Sequence, residues 1–472
     1  MIAGRTLPFA GQTLPFSGRV NELKKLENIY SSGKFECVVL HGRLRVGKTA
    51  LLREFIKGKK AVFFSAQETS AMENLEDLSG CLSAAAQAPV QLDNTTDGYS
   101  DVFRQLAEIS QSERIVFIID DYQFLCAAGR GISKLICEQI DLSLRNSLLM
   151  LIICGSSEPV MESEALGFDS PFHGIRTAQI MLQPFTFFEV KRYYNGFSPF
   201  DAAVLYGVTG GVPAYLEFMD PELPIEENIR RTFFDASSML FEEPANILRR
   251  EVRDPAYYNA VLRAIASGVQ KNSEIATVTG LETSACTAYL KNLIAMGIVS
   301  RHTPITEKAG KRTIYEIRDN FFRFWYRYVP VNISLIQSGM ADRIWRNVAR
   351  DIPSYMSKVF EDICRGWLEQ RNQAGLLPVR FIETGRWWGP DPVWKTDIFL
   401  PIVAYSDDDH AAFGDCIWSD DPAGADTLNS LIEHSRLFRF GTRYLYLFSR
   451  SGFSEECAGL AGRIGANLVM FE

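Results

Sequence analysis

Eight consecutive residues hold the densest chemistry in this chain. Gly42-Arg43-Leu44-Arg45-Val46-Gly47-Lys48-Thr49 has the spacing G-x-x-x-x-G-K-[ST]. In that pattern the glycines let backbone N–H groups wrap a row of phosphates. The ammonium of Lys48 reaches the outer phosphates, and the hydroxyl of Thr49 is placed to ligate magnesium. A helix beginning there adds its positive end. The expected phosphate-binding segment is Gly42 through Ala50.

A second acidic element belongs with such a loop, at the end of a buried strand. Arg114-Ile115-Val116-Phe117-Ile118-Ile119-Asp120-Asp121 supplies it. Asp120 is expected to hold magnesium, directly or through water, and Asp121 to orient or activate the attacking water. The plainer reading is a pair of turn aspartates at a strand end. Ser156, in Cys154-Gly155-Ser156-Ser157, is open to two readings: a sensor of the terminal phosphate, or a strand-to-loop turn.

These residues need a scaffold, and the apolar runs outline one. Short strands are expected at Cys37–Leu40, Ala61–Phe64, Ile115–Ile119, Leu148–Cys154 and Gln179–Leu182. A helix over Glu22–Tyr30 and another through Leu51, Leu52 and Phe55 lie among them. Strands alternating with helices imply a parallel sheet covered on both faces. Residues 186 to about 250 read as helical, broken at Gly207, Gly210-Gly211 and Pro213. Asp254-Pro255 then starts a helix as cap and first residue. Two more short helices follow, Asn272–Gly280 and Thr283–Gly297, then strand-like runs at Ile298–His302 and Thr313–Ile317. Three helices and two strands describe a winged helix-turn-helix. The aromatic stretch Phe321–Tyr328 is taken as part of a linker. From about Ile352 the pattern is helix, strand, strand, strand, helix, strand.

The expected architecture is α/β, with a lead-in over 1–15 and a parallel-sheet P-loop domain over 16–190. A helical lid over 191–250, a winged helix over 251–320 and a linker over 321–345 follow. A small α/β domain over 346–472 completes the chain. Its 472 residues suit about three domains. With 47% apolar and 22% charged residues, wholesale disorder is excluded. A net charge of −8 is not the footprint of a dedicated nucleic-acid binder. Nine cysteines without a CxxC pair suit a reducing cytoplasm rather than a disulfide framework; Cys37 and Cys154 read as small buried hydrophobes. The N-terminal stretch lacks a signal-peptide core, and the longest apolar run is too short to cross a bilayer. Thr6–Gly11 is nearly repeated as Thr13–Gly18, of which only the second copy is expected to join the fold.

Phe16-Ser17-Gly18-Arg19 with Glu22-Leu23, then Gly42–Thr49, then Asp120-Asp121-Tyr122-Gln123-Phe124-Leu125 resemble the archaeal-type ATPase family, a relative of the AAA+ and STAND nucleotide switches. Ser170–Gly174, Gly210-Gly211-Val212-Pro213 and Gly385-Arg386-Trp387-Trp388-Gly389 match further family positions. The resemblance implies ATP and magnesium as ligands, Gly18 and Arg19 near the adenine, and Pro213 packed on the nucleotide. Two departures stand out. The family pair is Asp-Glu where this chain has Asp120-Asp121. An arginine follows the glycine at 174 in relatives, where this chain has Ile175 and then Arg176. Both point to ATP held as a switch and hydrolysed slowly.

The family's last domain is similar to PD-(D/E)xK nucleases, in which carboxylates hold a metal and a lysine organises the attacking water. Glu361 matches the helix acid, Asp397 the strand aspartate and Asp415 the second acid; the lysine position is Ile417, with Lys395 a distant substitute. An inactive domain is therefore expected. In the winged helix the recognition helix carries only Lys291, and the wing Lys308, Lys311 and Arg312. That is thin for phosphate and base contacts. DNA and a protein partner both stay open, as does oligomerisation.

Overall fold

A computed structural model describes residues 16–86, 98–193, 195–305, 307, 312–391 and 395–471. The lead-in, with the first copy of the repeat, lies outside the described residues. The chain divides into two compact units, Met1–Pro184 with Val212–Glu217, and Phe185–Gly211 with Phe218–Glu472.

The first unit is built on five parallel strands: β1 (Glu36–His41), β2 (Ala61–Ser65), β3 (Ile115–Asp120), β4 (Leu149–Gly155) and β5 (Ala178–Met181), in the order β2-β3-β4-β1-β5. Every residue of β1, β3 and β4 is buried. That is why these strands read as unbroken apolar runs rather than alternating ones. Successive residues still part to opposite faces. Cys37, Val39, Phe117, Ile119, Leu151 and Ile153 enter one core. Val38, Leu40, Val116, Ile118, Ile152 and Cys154 enter the other. The two cores bury the inner faces of helices that flank the sheet, among them Val20–Tyr30 and Lys48–Phe55.

In the second unit, helices Pro199–Thr209, Ile225–Phe233 and Met239–Glu251 precede the trio Pro255–Ala266, Asn272–Thr279 and Thr283–Ala295. An antiparallel ribbon of β6 (Val299–His302) and β7 (Ile314–Ile317) follows. Pro255 opens its helix as expected, but Asp254 makes no side-chain cap bond.

The expected linker is a correction. Residues Asn320–Tyr328 form a helix capped by the Asp319 side chain, which accepts from Phe322 N at 3.0 Å. Phe321, Phe322 and Phe324 are fully buried. Trp325 donates to the Phe241 carbonyl at 2.9 Å, and Tyr326 to Asn259 at 2.6 Å. A helix that is apolar nearly all round belongs in a core, not in a tether. The long helix Ala341–Gln373 also begins before the expected boundary.

Its C-terminal half covers a mixed sheet in the order β12-β11-β10-β9-β8. Strands β8 (Glu383–Pro390), β9 (Asp397–Tyr405) and β10 (His410–Ile417) form an antiparallel meander. Strands β10, β11 (Thr442–Ser449) and β12 (Asn467–Met470) run parallel, joined by helices Ala425–Ser435 and Glu455–Ile464. The sequence pattern missed the second of those helices, whose small residues Ala458, Gly459, Ala461 and Gly462 blur its apolar stripe. Among the described residues no helix is long and apolar enough to cross a membrane.

Candidate functional site

In a parallel sheet, ligands sit outside the carboxyl ends of the strands. The ends of β1, β3 and β4 are adjacent in this sheet, since β4 pairs with both others. The loop 42–49 leaves β1, Asp120 ends β3, and Ser156 follows β4.

Gly42 is required by contact as well as conformation. It sits at φ 153°, and a Cβ there would lie 2.3 Å from the Leu182 carbonyl oxygen. Leu182 in turn donates to the His41 carbonyl at 2.7 Å, tying the loop's entry to the strand after β5. Gly47, at φ 90°, turns the chain into the helix Lys48–Phe55. Lys48, only 7% exposed, donates to the carbonyls of Gly42 and Arg43 at 2.9 and 3.0 Å. Its ammonium therefore lies along the inside of the loop. Thr49 donates its hydroxyl to Asp120 Oδ2 at 2.6 Å, across the intervening strand β4.

Arg19 and Pro213 also reach the loop. Arg19 stands in the left-handed region at φ 57°, following Gly18 at φ 76°. It is 4% exposed and donates to the Val46 carbonyl at 2.9 Å. Pro213 Cγ lies 3.9 Å from the Cβ position of Gly47. Thus Gly18-Arg19, the loop and Pro213 converge. On the opposite side Asp121, at φ 52°, turns away from the strand. Its Oδ1 accepts from Gln123 Nε2 at 3.0 Å, and Gln123 also bonds Ser156. Gln123 has no role in the sequence reading; its place two residues after Asp121 is the signal that could find it. Beneath the site, burial and then the charge of Asp120 push the Cys154 thiol well above its usual range. Burial likewise raises that of Cys37.

A magnesium ion prefers a few protein oxygens completed by phosphate and water. The adjacent Thr49 hydroxyl and Asp120 carboxylate fit that requirement. Among the described residues no group of three or more His, Cys, Asp or Glu side chains is placed to hold a metal by itself.

Ile175 packs against the core, and Arg176 is committed within its own unit. It donates to the carbonyls of Ala165, at 2.7 Å, and Leu166.

The C-terminal sheet corrects one assignment. Gly414 of β10 pairs with Ile402 of β9, so the next pair along the antiparallel ladder is Asp415 with Pro401. Asp397 is four residues further on and exposed, roughly 13 Å along the strand at about 3.4 Å per residue. The strand position facing Asp415 is therefore a proline, and Asp397 does not join it. Pro401 instead offers its carbonyl to Arg365, at 2.8 Å. Ile417 packs against the apolar core. Lys395 is exposed at the turn before β9. Burial raises Asp415 above the usual carboxylate range. It pushes Glu361 up to about 7 despite Arg386 nearby, and Glu361 Oε2 is buried without a hydrogen-bond partner.

The wing's Lys308 and Lys311 lie outside the described residues. Arg312 pairs with Glu307 and donates to the Trp388 carbonyl at 2.7 Å. Lys291 is exposed on the helix Thr283–Ala295.

Residues 16–219 match the family described as an ATPase domain predominantly from Archaea. Residues 325–428 match archaeal and bacterial proteins of unknown function. An uncharacterised protein of Methanocaldococcus jannaschii is 29% identical over 404 residues, 85% of this chain and 87% of the relative. An uncharacterised ATP-binding protein of the same organism is 43% identical over 42 residues, 9% of this chain and 71% of that protein. Among solved structures, a Walker-type ATPase of Pyrococcus abyssi superposes with a TM-score of 0.53 at 20% identity, over 66% of this chain and 96% of that one. With the loop, the strand-end acids and these matches together, the chain belongs to the archaeal-type family of P-loop ATPases.

Proposed function

We propose that this ATPase works as a nucleotide-controlled switch with slow, magnesium-dependent turnover, its second unit serving as a contact module for a protein partner. The observation that carries the reading is the Thr49–Asp120 pair, at 2.6 Å, beside a lysine laid along the loop. Backbone N–H groups of Gly42–Ala50 and the Lys48 ammonium bind the phosphates. Gly18, Arg19 and Pro213 flank the base. Thr49 and Asp120 hold the metal, which when bound neutralises charge between the outer phosphates. Asp121 orients the water, and Ser156 donates to the terminal phosphate.

Two features favour slow hydrolysis. Asp121 is one methylene shorter than a glutamate. Arg176 is tied to carbonyls of its own chain, and an arginine that reaches the transition state is worth orders of magnitude in rate. Turnover on the order of tens per second in the isolated protein would end this part of the reading.

Among its described residues the second unit offers few of the groups that nucleic-acid chemistry needs. Pro401 and Ile417 stand where an aspartate and a lysine are required, so no magnesium- or manganese-dependent cleavage of plasmid is expected. Arg312 is spent internally and Lys291 stands on the helix face, so a gel shift at stated salt should show weak DNA binding, unchanged by ATP.

All seven tryptophans lie between Trp325 and Trp418, inside the second unit. This gives a direct test of switching. ATP and ADP, which bind the tryptophan-free first unit, should give different tryptophan emission. Identical spectra at saturating ATP, ADP and no nucleotide would remove the switch.

A further inference from the structure

We propose that Gln123 is a positioning residue that sets the hydrogen-bond polarity of the hydrolytic end of the site, holding Asp121 as an acceptor and turning Ser156 into a donor. The inference rests on the ATPase reading of that site. Gln123 makes three bonds. Nε2 donates to Asp121 Oδ1 at 3.0 Å and to Ser156 Oγ at 3.2 Å, while Oε1 accepts from Ser156 N at 3.1 Å. These bonds define the amide's orientation. Flipped, it would set its oxygen against the Asp121 carboxylate and its N–H₂ against the Ser156 N–H, keeping at most a bond accepted from the Ser156 hydroxyl.

Two consequences follow from donor and acceptor counting. A carboxylate oxygen accepts, so the bond from Gln123 fixes the rotamer of Asp121 with Oδ1 as the acceptor. A hydroxyl that accepts from Gln123 has its own hydrogen directed elsewhere, which makes Ser156 a donor toward an anionic oxygen. One neutral amide thus orients an acceptor for water and a donor for phosphate on neighbouring strands.

The backbone is shaped around this amide. Asp121 occupies the left-handed region at φ 52°, a conformation that side chains other than glycine seldom adopt. Its side chain is thereby presented to Gln123 on the first turn of the helix Tyr122–Ala128. Gly155 leaves the required room: a Cβ there would lie 3.1 Å from Gln123 Oε1 and 2.2 Å from Met161 Sδ.

The test is single-turnover ATP hydrolysis by the full chain, wild type against Gln123→Ala and Gln123→Glu, with equilibrium binding of a fluorescent ADP. Gln123→Ala should lower the hydrolysis rate at least about tenfold while ADP affinity stays within about twofold. Gln123→Glu should be as slow near pH 8, where two carboxylates face each other. Its rate relative to wild type should climb as pH falls toward about 5.5, because only a protonated glutamate can donate to Asp121. A purely structural role gives no such pH-dependent ratio. Rates for Gln123→Ala within about twofold of wild type, or a Gln123→Glu ratio flat in pH, overturn the inference. If Gln123→Ala does not fold, the Gln123→Glu ratio decides. Wild-type protein without any turnover removes the ATPase reading itself, whereas normal wild type with unaffected variants removes this inference alone.

Discussion

Two sheets in this molecule carry acids at strand ends, and they treat them differently. At the end of β3, Asp120 has a hydroxyl partner, Thr49, and Lys48 lies along the neighbouring loop. Around the C-terminal sheet Asp415 on β10 and Glu361 on the covering helix persist, but two residues beyond Asp415 the chain carries Ile417, which packs into the apolar core. Burial pushes Glu361 up to about 7, so it gains a proton near neutrality. On the ribbon strand β7 the opposite holds. Burial alone would raise Glu316, yet Lys358 and Arg386 hold it at about 2. Arg386 donates to Glu316 at 2.6 Å and to Asp362 at 2.8 Å. The lesson is about neighbours rather than acids. A buried carboxylate is kept ionised only where a cation faces it.

The largest effect should come from breaking that ionic cluster. Arg386→Met leaves Glu316 and Asp362 buried with fewer counter-charges, a change that typically costs about 3–5 kcal/mol. Urea unfolding followed by tryptophan emission reports the second unit selectively and should show the loss. An unchanged midpoint would mean that Lys358, Arg323 and Arg365 suffice. Acid should act the same way. The folded pKa of Glu316, about 2, lies below its ordinary value of 4.5. Its stabilisation is therefore complete above about pH 5 and lost as pH falls toward 2, amounting to about 3 kcal/mol.

Next in size is Lys48→Ala. Removing the ammonium should lower ATP turnover by roughly 10²–10³-fold, the usual cost of one preorganised donor. Thermal unfolding of the apoprotein should move little, since Lys48 donates to carbonyls of its own loop. Equal losses of activity and stability would make Lys48 a structural residue.

The first unit was readable because its strands are unbroken apolar runs and its loop has rigid spacing. Each expected strand appears within a residue or so of its place. The second unit was harder for identifiable reasons. Phe321–Tyr328 is so dense in aromatic residues that its one polar stripe, Arg323 and Arg327 four residues apart, does not stand out. The helix Glu455–Ile464 presents small residues. Asp397 was matched to the nuclease pattern by residue type, but strand pairing is set by register, and the β9–β10 ladder, which ends at Gly414 with Ile402, points Asp415 toward Pro401 rather than Asp397. Gln123 could be read from the sequence as a residue but not as a bridge, because its partner Ser156 is on another strand.

A smaller effect of opposite sign tests the orphaned acid. Glu361→Gln keeps the shape and removes a charge that folding must neutralise. The folded pKa, about 7, exceeds the ordinary 4.5, so the wild-type penalty is absent below about pH 4.5 and fully present above about pH 7. The variant should therefore be more stable than wild type at pH 8, by about 3 kcal/mol, and no different near pH 4. A loss of stability at pH 8 would instead show that the carboxylate has an ionic task.

The smallest change returns to the first sheet. If hydrolysis is slow because Asp121 stops short of the water, Asp121→Glu should raise single-turnover hydrolysis by roughly three- to tenfold, without altering ADP affinity. The gain is limited by geometry, because Gln123 already holds the carboxylate at 3.0 Å and a longer side chain must keep that bond from a left-handed backbone. Asp121→Asn keeps the size but removes the acceptor charge, and should fall well below wild type. An Asp121→Glu rate equal to wild type would place the limit elsewhere, in an arginine that Arg176, bound to Ala165, does not provide.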